Sequence, residues 1–266
     1  MQFARIGDIT LHYRTRGLGA GRPAVVFINS LGTDLRLWDD VVEAMPDVAC
    51  LRYDKRGHGL SDLGGTTSSI DDHVADLVGL MDHVGIDRAV ICGVSVGGLI
   101  AQGLYRSGPD RVSALLLSNT ALKIGDADGW NSRISTVTGQ GISVLADGIL
   151  ERWFSPAFRQ PKNVAFAGFR NMLLRQSATG YAATCAAIRD ADFTAAASSI
   201  AVPTLCVAGD LDGATPPAMV EALAAAVPGA VYRLIEGTGH LPMVERPAAF
   251  AALLADLVSQ IGGDAT

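Results

Sequence analysis

The chain has 266 residues, enough for one large α/β domain carrying an insertion and for a substantial core. Hydrophobic residues make up 49% and charged residues 18%, which excludes a disordered chain, and no apolar run approaches the length of a membrane span. A net charge of −6 without any Lys/Arg cluster argues against nucleic acid or an anionic membrane surface as partner.

Residues Phe3–Ile6 and Ile9–Tyr13, joined at Gly7-Asp8, read as an antiparallel hairpin, and the chain opens on this alternation without a signal-peptide pattern. Strand-like runs follow at Ala24–Asn29, Val48–Tyr53, Ala89–Val94 and Ala114–Ser118. Between them lie helical patterns at Leu35–Ala44, Ile70–Val84 and Val96–Arg106. Short apolar strands alternating with helices predict a mostly parallel sheet covered on both faces. From about Leu122 to Ser199 the pattern is helical throughout. The β/α rhythm then resumes at Thr204–Ala208, Pro217–Val227, Val231–Ile235 and Pro247–Ile261. This predicts a core of residues 1–121 and 200–266, with a helical cap, 122–199, inserted after the sixth strand. An insertion there sits over the sheet edge where open α/β folds bind ligands, as a lid. The four cysteines contain no Cys-x-x-Cys pair. Cys50, Cys92 and Cys206 fall on buried strands and Cys185 on a helix, so reduced core thiols and a cytoplasmic location are expected.

The densest chemical signal is Gly93-Val94-Ser95-Val96-Gly97, a Gly-x-Ser-x-Gly motif with a strand before it and a helix after it. A strand turning at once into a helix lifts the serine oxygen above the sheet edge and aims helix amides at a developing oxyanion. Such a serine needs a base, and the base needs an acid, in the chain order Ser, Asp or Glu, His. Of the five histidines only His240 follows the insertion, in the loop Gly237-Thr238-Gly239-His240. His12 reads as a strand-edge residue, His83 as helix surface and His73 as a helix-face residue. His58, in Asp54-Lys55-Arg56-Gly57-His58-Gly59, precedes the serine and reads as a structural residue ordering its loop. Two acids, Asp210 and Asp212, follow the strand Thr204–Ala208, and spacing leaves both open; Asp210 could serve its turn's own backbone. The oxyanion donors would be the backbone N–H groups of Val96 and of Leu31, in Asn29-Ser30-Leu31-Gly32-Thr33-Asp34. Thr33 or Asp34 would also cap the next helix. No metal-ligand spacing such as His-Glu-x-x-His occurs, and no cofactor is implied.

Taken together, these segments resemble the α/β-hydrolase superfamily, and within it the 3-oxoadipate enol-lactonases of aromatic-compound catabolism (the β-ketoadipate pathway). The elbow and Arg56-Gly57-His58-Gly59 are general to the superfamily. The Asn29–Leu35 loop, Ser118–Gly125, Gly129–Ile134, Leu150–Phe154 and Tyr181–Asp190 carry the specific likeness, which runs through nearly the whole chain. The resemblance implies hydrolysis of 3-oxoadipate enol-lactone by Ser95, Asp212 and His240 through an acyl-enzyme. It selects Asp212 through the family's Gly-x-x-Asp-x-x-Thr-Pro-Pro spacing. The substrate, a small anionic lactone, carries a free carboxylate, for which Arg133 is the candidate cation, with Trp130 and Trp153 as apolar walls. Two readings compete: a broad carboxylesterase or carbon–carbon bond hydrolase with the same triad, and a non-catalytic binding protein of the same fold.

Overall fold

The computed structural model describes residues 1–19 and 22–263; residues 20–21 and 264–266 of the expected core segments lie outside the described residues. Strands β1 (Gln2–Ile6) and β2 (Ile9–Arg16) form the hairpin, turning at Gly7, whose φ of +57° suits a residue without Cβ. There follow β3 (Ala24–Ile28), α1 (Asp39–Ala44), β4 (Ala49–Tyr53), α2 (Ile70–His83), β5 (Ala89–Val94), α3 (Val96–Ser107) and β6 (Val112–Ser118). After β6 come four helices without an intervening strand: α4 (Ala127–Gln140), α5 (Ala146–Trp153), α6 (Val164–Leu174) and α7 (Ala178–Arg189). The chain then rejoins the sheet as β7 (Thr204–Gly209), α8 (Pro217–Ala226), β8 (Val231–Ile235), α9 (Pro242–Glu245) and α10 (Pro247–Gly263).

The strands form one sheet in the order β1-β2-β4-β3-β5-β6-β7-β8, antiparallel at β1–β2 and β2–β4 and parallel elsewhere. The α2–α3 pair packs on one face, and α1 with α10 on the other. Double coverage is why β3, β5 and β6 are apolar or small at nearly every position and wholly buried. The fold class is the α/β-hydrolase fold expected from the sequence. From β3 the chain moves outward to β4, and from β5 it moves to β6 on the opposite side. The carboxyl ends of β3 and β5, paired through Ile28 and Gly93, therefore flank the crevice where the winding reverses.

Beyond shifts at the ends of strands, two local readings change. The expected helix Leu35–Ala44 splits into a 3₁₀ turn, Leu35–Trp38, and the short α1. Asp34 caps the tight turn by accepting Arg36 N at 3.0 Å, and Leu35 N is drawn to Asp54 Oδ1 at 2.8 Å. His12 is not at a strand edge: β1 is the outer strand, β2 pairs on both sides, and the ring is buried with Nδ1 donating to Asp54 Oδ2 at 2.8 Å. All four cysteines are buried and free.

Candidate active site

Ser95 joins β5 directly to α3, and its backbone sits at φ 59°, ψ −119°, a region that side chains disfavour. Ser95 N donates to Ser118 O at 3.0 Å, and Thr120 Oγ1 donates to Ser95 O at 2.7 Å, so β6 holds the strained residue from beside it. The flanking glycines leave no room for alternatives. A Cβ on Gly93 would lie 2.2 Å from Gly97 O, and one on Gly97 would lie 2.3 Å from Ile28 O. Val96 opens α3, so its N–H lacks an intrahelical acceptor.

Of the two acids left open by spacing, the structure brings Asp212 to His240. The ring Nδ1–H donates to Asp212 Oδ2 at 2.9 Å, which leaves Nε2 as the acceptor nitrogen. The carboxylate also accepts Asn119 Nδ2 at 2.8 Å, Thr215 Oγ1 at 2.7 Å, and the N–H groups of Ala214 and Thr215 at 2.7 and 3.0 Å. Burial alone would raise the Asp212 carboxyl. The facing His240 and these donors more than offset that and hold it below the usual carboxylate range. Asp210 instead accepts Thr238 N at 3.1 Å, bracing the loop that carries His240. That loop is tied to the C-terminal end of α5: His240 N donates to Trp153 O at 2.8 Å, and a Cβ on Gly239 would come within 2.5 Å of the same carbonyl. Glu245 of α9 completes the tie, accepting Gly239 N at 2.7 Å and Ser155 N at 3.2 Å, with Ser155 Oγ also donating to it.

The loop after β3 is held from the loop after β4. Asn29 Nδ2 donates to Tyr53 O at 3.0 Å, Lys55 Nζ to Ser30 O at 2.6 Å, and Gly32 N to His58 Nε2 at 3.0 Å. His58 is thus the loop-ordering residue expected; burial and the Lys55 charge push its pKa well down, so it accepts as neutral imidazole. Leu31 N–H, between these anchored peptides, donates to no acceptor among the described residues.

Ser30, Leu31, Ser95, Thr215 and His240 line one cavity of about 290 Å³, with Trp130, Arg133 and Trp153 on its other walls. Among the described residues no hydrogen bond joins Ser95 Oγ to His240. Val96 is buried and does not line the cavity. Arg133 stacks over Trp130, 5.1 Å from the ring, and has no carboxylate partner among the described residues; Trp130 Nε1 donates to Ile124 O at 2.6 Å. Trp153 is buried against the Gly32 turn. Four contributors escaped the sequence reading. Arg152 lines the cavity beside Arg133, whose charge, after burial, lowers its pKa. Tyr181 from α7 forms a wall, and Asn119 and Thr215 ligate Asp212. Arg152 stands next to Trp153 and Asn119 next to the end of β6, which are the signals that would have found them. Among the described residues, no cluster of three His, Cys, Asp or Glu side chains is placed to hold a metal ion, and no helix is long and apolar enough to cross a membrane.

Comparison with known proteins bears on family and fold. A family model described as the alpha/beta hydrolase family matches residues 25–253. The chain is 36% identical over 246 residues to "3-oxoadipate enol-lactonase 2" of Acinetobacter baylyi, covering 91% of each. It is 33% identical to "3-oxoadipate enol-lactonase 1" of the same organism, covering 90% of each. The crystal structure of the enol-lactonase from Burkholderia xenovorans superposes with a TM-score of 0.93 at 36% identity, covering 97% of this chain and 100% of that one. These matches bear out the resemblance read from the sequence.

Proposed function

The chain belongs to the alpha/beta hydrolase family, and on that premise we propose that it hydrolyses 3-oxoadipate enol-lactone to 3-oxoadipate. Ser95 Oγ attacks the lactone carbonyl while His240 Nε2 takes its proton, and Asp212 holds the ring and stabilises the imidazolium. The carbonyl oxygen, becoming an oxyanion, is received by the N–H groups of Leu31 and Val96. The C–O bond to the ring oxygen breaks, the His240 imidazolium gives its proton to that leaving oxygen, and the resulting enol tautomerises to a ketone. Water, deprotonated by His240, then attacks the acyl-enzyme, and the proton returns to Ser95 as the second carboxylate leaves. The segment 122–199 is a cap over this site, and Arg133, with Arg152 beside it, takes the carboxylate that the lactone already carries.

One observation carries the substrate assignment: Ser95, His240 and two guanidinium groups, neither with a carboxylate partner among the described residues, line the same cavity. A neutral ester would leave those charges unused. The names of the relatives point to the same substrate class. The test follows enol-lactone consumption by ultraviolet absorbance in wild type and Ser95→Ala, beside a neutral aryl ester. Preference for the lactone, abolished in Ser95→Ala, is the expected result. Fast aryl ester turnover with an inert lactone would reduce the protein to a general carboxylesterase, and turnover of neither would leave a binding protein.

A further inference from the structure

Lys55 is a buried ammonium that the catalytic scheme leaves idle, 1% exposed and behind the cavity wall rather than on it. Its Nζ donates to Ser30 O at 2.6 Å. That oxygen belongs to the same peptide unit as Leu31 N–H, and in a trans peptide the two point in opposite directions. Ser30 and Leu31 both border the cavity, and Leu31 N–H has no acceptor among the described residues. A cation fixed on one end of this amide therefore aims and polarises the donor at its other end. We propose, resting on the assignment of Leu31 N–H as an oxyanion donor, that Lys55 is the positioning residue of that peptide, its positive charge strengthening the donor from behind.

Thr33 also donates to Ser30 O, from Oγ1 at 2.9 Å and from N at 3.3 Å, so the loop keeps its turn without Lys55. What Lys55 alone supplies is the charge. The charge is titratable. Burial lowers the Lys55 pKa to about 7, partly offset by Asp54 in its own loop and Asp34 at the start of the 3₁₀ turn. The other titratable groups facing it are His58 in the same loop and His73 on α2, both held neutral by burial and by Lys55 itself. A lysine with a lowered pKa loses its proton as pH rises through that value. The oxyanion exists only in the transition state, so losing the charge lowers kcat and spares KM.

The experiment measures kcat and KM for a neutral aryl acetate from pH 5.5 to 9 in wild type, Lys55→Met and Lys55→Gln, with fluorophosphonate labelling of Ser95 in each. Wild-type kcat is expected to fall as pH rises through neutrality. Both variants should label and turn over with unchanged KM, a kcat about tenfold lower at pH 6, and no falling limb. Folded variants with wild-type kcat, or with the limb retained, overturn the proposal while leaving the serine-hydrolase reading intact. A wild type that neither labels nor turns over overturns both. Should the variants not fold, the wild type decides. The chain has only three lysines, Lys55, Lys123 and Lys162, so ¹³C NMR of labelled lysine resolves Lys55. A titration coinciding with the falling limb supports the assignment, and a Lys55 that stays charged across that limb overturns it.

Discussion

At Gly97 the absence of one carbon atom allows the nucleophile to exist. Gly97→Ala would place a Cβ 2.3 Å from Ile28 O, backbone that cannot yield as a side-chain tip can. We expect a loss of roughly 1–3 kcal/mol or more in urea unfolding, with turnover falling further as Ser95 shifts. Asp212→Asn keeps the volume but presents an amide to His240, and kcat should drop about 10³–10⁴-fold with the fold intact by circular dichroism. Arg133→Met removes a charge-assisted partner of the substrate carboxylate. KM for the lactone should rise about 10–100-fold, while a neutral aryl ester is turned over as before; equal effects on both substrates would sink that role. At this scale the sequence was most legible where a motif fixes geometry locally. Ser95 and the two histidine-loop glycines could be read directly. Choosing between Asp210 and Asp212 could not, because both meet the His240 loop and differ only in whether the Thr238 backbone or the His240 ring faces them.

At the scale of elements, the strands were legible because double coverage demands unbroken short apolar runs. The edges were less so: β6 begins at Val112 rather than Ala114, pairing there with Ala89 before its register against β5 shifts between Ala89 and Val90. The misjudged helix at Leu35–Ala44 has the same kind of cause, a carboxylate from another loop drawing on its first amide. Nothing in the local sequence of α5 announces that its last turn holds the His240 loop, a connection made across some ninety positions by Glu245 and Ser155. Glu245→Ala should expose that dependence. Losing its charge-assisted bonds to Gly239 N and Ser155 is worth about 2 kcal/mol, read as a fall in Tm of about 4–8 °C. Because His240 moves with this loop, kcat should fall as well; an unchanged kcat would show that Trp153 O holds the loop by itself.

For the molecule as a whole, pH sets a limit on stability. His73 is buried on α2 with its pKa pushed down to about 3, chiefly by burial and then by Lys55, and His58 is lowered in the same sense. Unfolded imidazoles take a proton near pH 6.5, so below about that value the unfolded chain binds protons that the folded one refuses. Stability should therefore decline from about pH 6.5 downward. The depressed Asp212 carboxyl adds its own loss only at lower pH, as the pH falls through its folded value. Urea midpoints measured between pH 7.5 and 4.5 check this. In His73→Leu the slope should be shallower by up to about 1.4 kcal/mol per pH unit, and an identical slope would clear His73 of the effect. A different consequence follows from the bond between His240 N and the Trp153 carbonyl. Modular enzymes are often recombined by transplanting one part onto another's chassis. Here a foreign insertion spliced between β6 and β7 would arrive without the carbonyl that seats the base. A working chimera would have to inherit residues 152–155 and 239–245 from one parent, as a single heritable unit.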